Sequence, residues 1–180
     1  MTLSLSRKLL ALAGFMGCGK TTVGRLLAER LGWHFVDLDT RIVERAGATI
    51  VEIFRQRGEP AFREVEAEAL ERALGETIEG NRSTVLALGG GTLTREENLE
   101  RLRGAGAALV WLDCPIEELL ERCAGVTDRP LFRDEASFRR LYDERLASYR
   151  QADYRVDASL APAEVVERIL ALVRLTAVEA

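Results

Sequence analysis

Residues 14–21, Gly-Phe-Met-Gly-Cys-Gly-Lys-Thr, carry the clearest chemical pattern in the chain. Gly14, Gly19, Lys20 and Thr21 satisfy the phosphate-binding pattern G-x-x-x-x-G-K-[ST]. Glycines let the backbone wrap inward so that successive N–H groups point at phosphate oxygens. The lysine supplies a point charge for the β- and γ-phosphates, and the threonine hydroxyl suits Mg²⁺. The pattern predicts a site for a nucleoside triphosphate, which we expect to be ATP.

Three more residues of this stretch belong to the expected ATP-binding surface, namely Gly17, Cys18 and Thr22. Cys18 stands where the start of a helix stabilises a thiolate, so one interpretation is a reactive thiol. The other is that the cysteine fills a variable position of the loop. We favour the second interpretation because no base lies nearby in the sequence except His34.

Length and composition exclude several classes of protein. The chain has 180 residues, of which 47% are hydrophobic, enough for one good core, and we expect a single domain over residues 1–180. A net charge of −4 argues against a nucleic-acid partner. No apolar run approaches the ~18 residues of a membrane span. Three cysteines and one histidine do not form a zinc pattern, and we expect reduced thiols in the cytoplasm.

The elements that position the loop follow from hydrophobic patterning. Short apolar or β-branched runs alternate with helix-periodic segments, which predicts a parallel α/β sheet. The run before the loop also resembles the start of a secretory signal, but "GCGKTT" stands where a cleavage site would be needed. The five predicted strands are residues 9–13, 34–38, 84–88, 108–112 and 154–158.

Helix boundaries can be read from capping residues. Helical spacing from Val23 to Leu31 is followed by Gly32, which predicts the end of the first helix. The pairs Thr49 with Glu52, and Thr94 with Glu97, have capping-box spacing and predict two more helix starts.

Two segments are longer than simple connections require. Residues of about 40–80 form a helical insertion that Gly58 and Pro60 are expected to divide into two helices. The second segment, about 124–134, is polar and punctuated by glycine and proline, and predicts a mobile loop over a site.

Four further motifs follow the phosphate-binding loop along the chain: "DLD" at 37–39, "FRE" at 62–64, "GGG" at 89–91 and "DRPLF" at 128–132. In this order around the loop, they resemble the shikimate kinase family. The resemblance runs from about residue 9 to 160 and implies a P-loop three-layer α/β/α fold with a five-stranded parallel sheet. It also implies ATP-dependent formation of shikimate 3-phosphate, Mg²⁺ as cofactor, a helical substrate-binding insertion, a lid and a monomer.

Asp37 and Asp39 lie two residues apart at the predicted end of the second strand, so both side chains should project from one face. Open α/β sheets bind ligands at this edge. The alternative is that either aspartate caps the next helix. The resemblance implies that Asp37 joins Thr21 in holding Mg²⁺, and that Asp39 binds the acceptor hydroxyl groups and takes a proton.

The remaining acceptor-site residues are assigned by the resemblance. An arginine on a helix is usually a solvated charge, but the family pattern assigns Arg63 and Arg145 to the substrate carboxylate, which a guanidinium matches with two hydrogen bonds. Gly89, Gly90 and Gly91 are expected to contact the substrate through their backbone, although a tight turn alone would also explain them.

Two arginines are expected on the nucleotide side. Arg129, in the predicted lid, resembles the family's arginine that closes over the transferred phosphate, where cationic charge stabilises the transition state. Arg122 matches the position that packs its guanidinium on adenine.

Two alternatives to a shikimate kinase stay open at this level. A kinase acting on gluconate or a nucleoside monophosphate would use the same phosphate-binding loop and lid. An inactive nucleotide-binding relative would be expected to have lost one of the key residues, and all four are present in this chain: Lys20, Asp39, Arg63 and Arg129.

Overall fold

A computed structural model describes residues 8–124 and 134–175. Five strands form one parallel sheet in the order β2-β3-β1-β4-β5. The strands are β1 (Leu9–Ala13), β2 (His34–Asp37), β3 (Thr84–Ala87), β4 (Ala108–Asp113) and β5 (Tyr154–Asp157). The helices are α1 (Lys20–Leu31), α2 (Leu38–Ala46), α3 (Ile50–Glu79), α4 (Glu96–Gly104), α5 (Ile116–Cys123), α6 (Glu135–Tyr149) and α7 (Pro162–Leu175).

The sheet is covered by helices on both faces. Every residue of β1 and β3 is buried, although successive side chains of a strand point to opposite faces. Buried side chains on both faces are expected for a parallel sheet between two helical layers. The predicted parallel α/β/α architecture is therefore confirmed, and no observed strand end differs from the predicted end by more than one residue.

The insertion between β2 and β3 consists of α2 and α3. α2 is followed by the capping residue Gly47, and α3 begins with the predicted capping box, in which Thr49 and Glu52 bond reciprocally. The division predicted at Gly58 and Pro60 is a kink within α3, where Gly58 has non-helical dihedral angles. α2 and α3 pack against each other and form the wall beside the end of β2.

One local prediction was wrong. Arg95, not Thr94, precedes the first turn of α4, and no side chain caps that helix. The Thr94 hydroxyl instead donates to the carbonyl oxygen of Gly91 at 2.7 Å, because Thr94 closes a short 3-10 turn over Thr92–Thr94.

Among the helices of the described residues, none combines the length and the apolar character that crossing a membrane requires.

Candidate active site

The phosphate-binding loop connects the buried end of β1 to the start of α1. Gly19 precedes α1 with φ 96°, in the left-handed region that favours glycine. A Cβ at Gly14 would lie only 2.7 Å from the carbonyl oxygen of Leu112 and from the Cys18 Sγ, so no side chain fits there. α1 directs its N-terminal N–H groups at the loop, which favours an anion.

Lys20 folds back over this loop. Its Nζ donates to the carbonyl oxygens of Gly14 at 2.8 Å and Phe15 at 3.0 Å. The ammonium group therefore lies within the loop, where a bound phosphate would meet it. Thr21 and Thr22 follow as exposed residues of the first turn of α1.

The structure favours the interpretation that Cys18 fills a position of the loop over that of a reactive thiol. Its side chain is 1% exposed and its Sγ lies 3.8 Å from Lys20 Nζ. Cys114 and Cys123 are buried as well, and burial raises the pKa of Cys114 to about 12. The three cysteines are buried thiols around the base of the loop.

Thr21 and Asp37 meet at the end of β2. The Thr21 hydroxyl donates to Asp37 Oδ2 at 2.7 Å, while Asp37 Oδ1 accepts from the N–H groups of Asp39 and Thr40 at 3.1 and 3.3 Å. Asp37 therefore caps α2 with one oxygen and faces the loop with the other. Asp39 lies in the first turn of α2, so the expectation that both aspartates project from one face of the strand was wrong.

The three glycines after β3 pass closely beneath the acidic side chains. A Cβ at Gly89 would lie 2.7 Å from Glu66 Oε1 and 3.2 Å from Asp39 Oδ1. A Cβ at Gly91 would lie 2.5 Å from Arg63 Nη2. The absence of side chains is what lets this segment approach Asp39 and Arg63.

Arg63 is held by two carboxylates of its own helix. Its Nη1 donates to Glu66 Oε2 at 2.8 Å, and its Nη2 donates to Glu59 Oε1 at 2.9 Å. Glu66 is 1% exposed and also accepts from the Thr92 hydroxyl at 2.8 Å. Burial acts to lower the pKa of Arg63, but Glu66 and Glu59 outweigh it and raise the pKa overall.

Arg145 reaches the same place from α6. It is 5% exposed, stacks 5.5 Å from the ring centre of Phe15, and would lie 3.1 Å from a Cβ at Gly90. Burial lowers its pKa, as does Arg63, while Tyr149 acts in the opposite direction. No ion pair found within residues 8–124 and 134–175 includes Arg145, which makes it a buried cation suited to an incoming anion.

Arg122 lies on the other side of the loop. It donates to the carbonyl oxygens of Gly17 at 3.4 Å and Ala158 at 3.2 Å, and pairs with Glu118 at 2.6 Å. Arg122 thus joins the loop to the segment after β5. Arg129 and nearly all of the predicted lid lie outside the described residues.

Two residues of the site were not found from the sequence. Glu66 is three residues after Arg63, and Tyr149 is four residues after Arg145, so each shares a helix face with a predicted arginine. The Tyr149 hydroxyl donates to the carbonyl oxygen of Gly90 at 2.5 Å. Spacing on a predicted helix was the available signal, but it could not show which of many such neighbours are buried.

The strand order, with a phosphate-binding loop after the central strand, defines the class of P-loop kinases. Comparison with known proteins narrows that class. The family model described as shikimate kinase matches residues 16–174. A curated shikimate kinase of Persephonella marina is 40% identical over 91% of this chain and 97% of its own length.

Solved structures agree with the sequence comparison. The shikimate kinase of Acinetobacter baumannii, in complex with shikimate, has a TM-score of 0.86 at 36% identity, covering 95% of each chain. The shikimate kinase of Aquifex aeolicus has a TM-score of 0.81 at 33% identity, covering 96% of this chain and 99% of its own. The chain belongs to the shikimate kinase family.

Proposed function

We propose that this protein transfers the γ-phosphoryl group of ATP to the 3-hydroxyl of shikimate, giving ADP and shikimate 3-phosphate. One observation carries the proposal: a complete phosphate-binding loop stands beside a cluster of Asp39, Arg63 and Arg145 over three glycines. A carboxylate and two guanidinium groups suit a small acid that bears hydroxyl groups. Family membership and the shikimate bound to the Acinetobacter baumannii relative support this choice.

The residues of the proposed site have three roles in the reaction: binding the substrate, orienting it and stabilising charge. Arg63 and Arg145 bind the substrate carboxylate, and the backbone of Gly89–Gly91 lies against the ring. Asp39 orients the acceptor hydroxyl and takes its proton as the new P–O bond forms and the bond to ADP breaks. Lys20 stabilises negative charge on the phosphoryl oxygens. In a loose transition state, positioning and electrostatic stabilisation provide most of the catalysis.

The magnesium site is proposed at Thr21 and Asp37. A hydroxyl and a carboxylate oxygen 2.7 Å apart at the start of α1 are the hard oxygen donors that Mg²⁺ prefers. They fit an ion that keeps several water ligands and contacts the phosphates. When bound, Mg²⁺ would neutralise charge on the β- and γ-phosphates.

The adenine site and the lid complete the proposal. We assign Arg122, which bonds to the carbonyl oxygens of Gly17 and Ala158, to stacking on adenine. We assign Arg129 to a lid over residues of about 124–134, whose closure excludes water from the transfer. We also propose one domain, with α2 and α3 as the substrate-binding insertion, and a monomeric protein of the cytoplasm.

An acceptor screen tests the proposed function. ADP release from ATP and Mg²⁺ would be followed with shikimate, gluconate and nucleoside monophosphates as separate acceptors. We expect rapid ADP release with shikimate and only background release with the others. Faster ADP release with gluconate or a nucleotide would show that this compound, and not shikimate, is the acceptor. Background release with every acceptor would support an inactive relative.

A further inference from the structure

Tyr149 is the last residue of α6 and one of the most deeply buried aromatic residues of the protein. It is 1% exposed, and its ring stacks on Trp111 of β4 at 6.0 Å with an interplanar angle of 29°. A buried phenol hydroxyl is costly unless it is hydrogen bonded. The partners of this hydroxyl therefore indicate why a tyrosine stands here.

The hydroxyl contacts two parts of the acceptor site. It donates to the carbonyl oxygen of Gly90 at 2.5 Å. It also lies beside Arg145, one helical turn earlier on the same face of α6, whose Nη1 would lie 3.1 Å from a Cβ at Gly90 and which interacts with the hydroxyl electrostatically. Since arginine is only a donor and a carbonyl only an acceptor, the hydroxyl can serve both at once.

The contact with Gly90 orients the backbone beneath the substrate. In a planar trans peptide the carbonyl oxygen of Gly90 and the N–H of Gly91 point in opposite directions. Holding the carbonyl against Tyr149 therefore turns the following N–H away from α6. Glycines have the largest backbone freedom, so a segment of three benefits from a fixed anchor.

The contact with Arg145 fixes a long, flexible cation. Arg145 has no carboxylate partner among the ion pairs of the described residues, so packing on Phe15 and the Tyr149 hydroxyl position its guanidinium. Ordering a flexible arginine before the substrate arrives reduces the entropy lost on binding.

We propose that Tyr149 is a positioning residue of the acceptor site, which holds Arg145 and the Gly90 carbonyl in the arrangement that receives the substrate carboxylate. This inference rests on the proposed function. Tyr149 does not touch the reacting atoms and acts through its two partners. Burial raises the pKa of Tyr149 well above its usual value, so the hydroxyl stays a donor throughout the neutral range.

The test is the substitution Tyr149→Phe, which keeps the ring on Trp111 and removes only the hydroxyl. Binding of shikimate and of ATP would each be measured by calorimetry, together with kcat and KM. We expect shikimate affinity to fall about 5- to 30-fold, as the loss of one or two hydrogen bonds predicts. ATP affinity should change less than about twofold, and KM for shikimate should change more than kcat.

Tyr142→Phe is the matched control, because it removes a hydroxyl from the same helix at a ring that packs edge-on against Phe15, 5.4 Å away. We expect this variant to bind shikimate like the wild type. If Tyr149→Phe unfolds, 4-fluorophenylalanine at position 149 fills the volume of the hydroxyl without an O–H and should show the same loss.

The outcomes separate this inference from the proposed function. Wild-type protein that does not bind shikimate would contradict the proposed function itself. Wild-type protein that binds shikimate, with the Tyr149 variant binding equally well, would overturn the positioning role. Equal losses of ATP and shikimate affinity, with a lower unfolding temperature, would also overturn it by showing a purely structural role.

Discussion

Two arginines that share a proposed ligand stand in opposite electrostatic situations. Arg63 is already neutralised by Glu59 and by the buried Glu66, which together raise its pKa. Arg145 is buried against an aromatic ring, and its pKa is lowered by burial and by Arg63. We infer that Arg145 provides most of the electrostatic attraction for the substrate carboxylate. Arg63, which its ion pairs hold in place, orients that carboxylate.

Arg63→Ala is expected to affect stability as well as binding. Removing the arginine leaves the Glu66 carboxylate, 1% exposed, without its cation, at a cost of about 3 kcal/mol. Thermal unfolding should show a lower midpoint. Shikimate affinity should fall roughly 10- to 150-fold with ATP affinity nearly unchanged.

The double variant Arg63→Ala with Glu66→Gln separates these two effects. It should recover much of the lost stability, because the buried carboxylate is gone, but it should not recover shikimate binding. Recovery of both would assign Arg63 a structural role only.

Asp39→Asn distinguishes orientation of the acceptor from proton transfer. The amide keeps an oxygen acceptor of similar shape but removes the basicity. We expect kcat to fall at least about 100-fold, within the roughly 10²–10⁴ range of general-base contributions. Shikimate affinity, measured by calorimetry, should weaken much less. A variant that keeps more than about a tenth of the wild-type kcat would leave Asp39 as a positioning residue.

At the scale of elements, the segment Gly89–Gly91 is the surface against which α2, α3 and α6 place their side chains. Its importance is steric, because a Cβ at Gly91 would lie 2.5–2.9 Å from three atoms of the Arg63 guanidinium. The φ of Gly91 is −114°, which alanine also adopts, so a substitution there tests space alone.

Gly91→Ala should therefore displace Arg63 and raise KM for shikimate roughly tenfold, the loss of about one charge-assisted hydrogen bond. KM for ATP should change little. Gly75→Ala is the matched control, since Gly75 lies in the C-terminal part of α3 and a Cβ there meets nothing within 4 Å. It should stabilise the protein by about 0.5–1 kcal/mol. An unchanged KM for shikimate in the Gly91→Ala variant would contradict the close approach of Gly91 to the Arg63 guanidinium.

The elements were largely predictable, and the side-chain network was not. Apolar or β-branched runs predict all five strands, most clearly β1, β3 and β4, where burial on both faces leaves few polar residues. The predicted Thr94 cap is absent because the Thr94 hydroxyl bonds to Gly91 within a local 3-10 turn. The spacing of residues in the sequence does not predict this hydrogen bond. Glu66 and Tyr149 were missed because their roles depend on Thr92 and Gly90, which are close only after folding.

At the scale of the whole molecule, the parallel sheet is what assembles the site. Parallel strands end at the same edge, so the loop after β1, Asp37 at the end of β2 and the glycines after β3 meet there. α3 and α6 then add one arginine each from distant parts of the sequence. The site therefore depends on the global fold.

Acid should destabilise the fold through its capping carboxylates. Hydrogen bonds from the backbone and side chain of Thr49 lower the pKa of Glu52. Those from the backbone and side chain of Ser137 lower the pKa of Asp134. A carboxylate whose pKa is lowered by folding stabilises the folded state at every pH above its unfolded-state pKa of about 4. That stabilisation is lost as the pH falls through the lowered pKa of the folded state. The unfolding temperature should therefore drop below about pH 4.5. Glu52→Gln should make this drop shallower, and an equally steep drop would exclude the Glu52 cap as a contributor.

The most direct test of the proposed function is ³¹P NMR of a reaction containing ATP, Mg²⁺, shikimate and the protein. We expect the γ-phosphate signal to be replaced by one phosphate monoester, coupled to the proton at carbon 3 of shikimate, in equal amount to ADP. The Lys20→Ala variant, once a thermal unfolding curve has shown that it is folded, should slow this conversion at least about 100-fold. Formation of inorganic phosphate alone, or ATP left intact with shikimate present, would contradict a shikimate kinase.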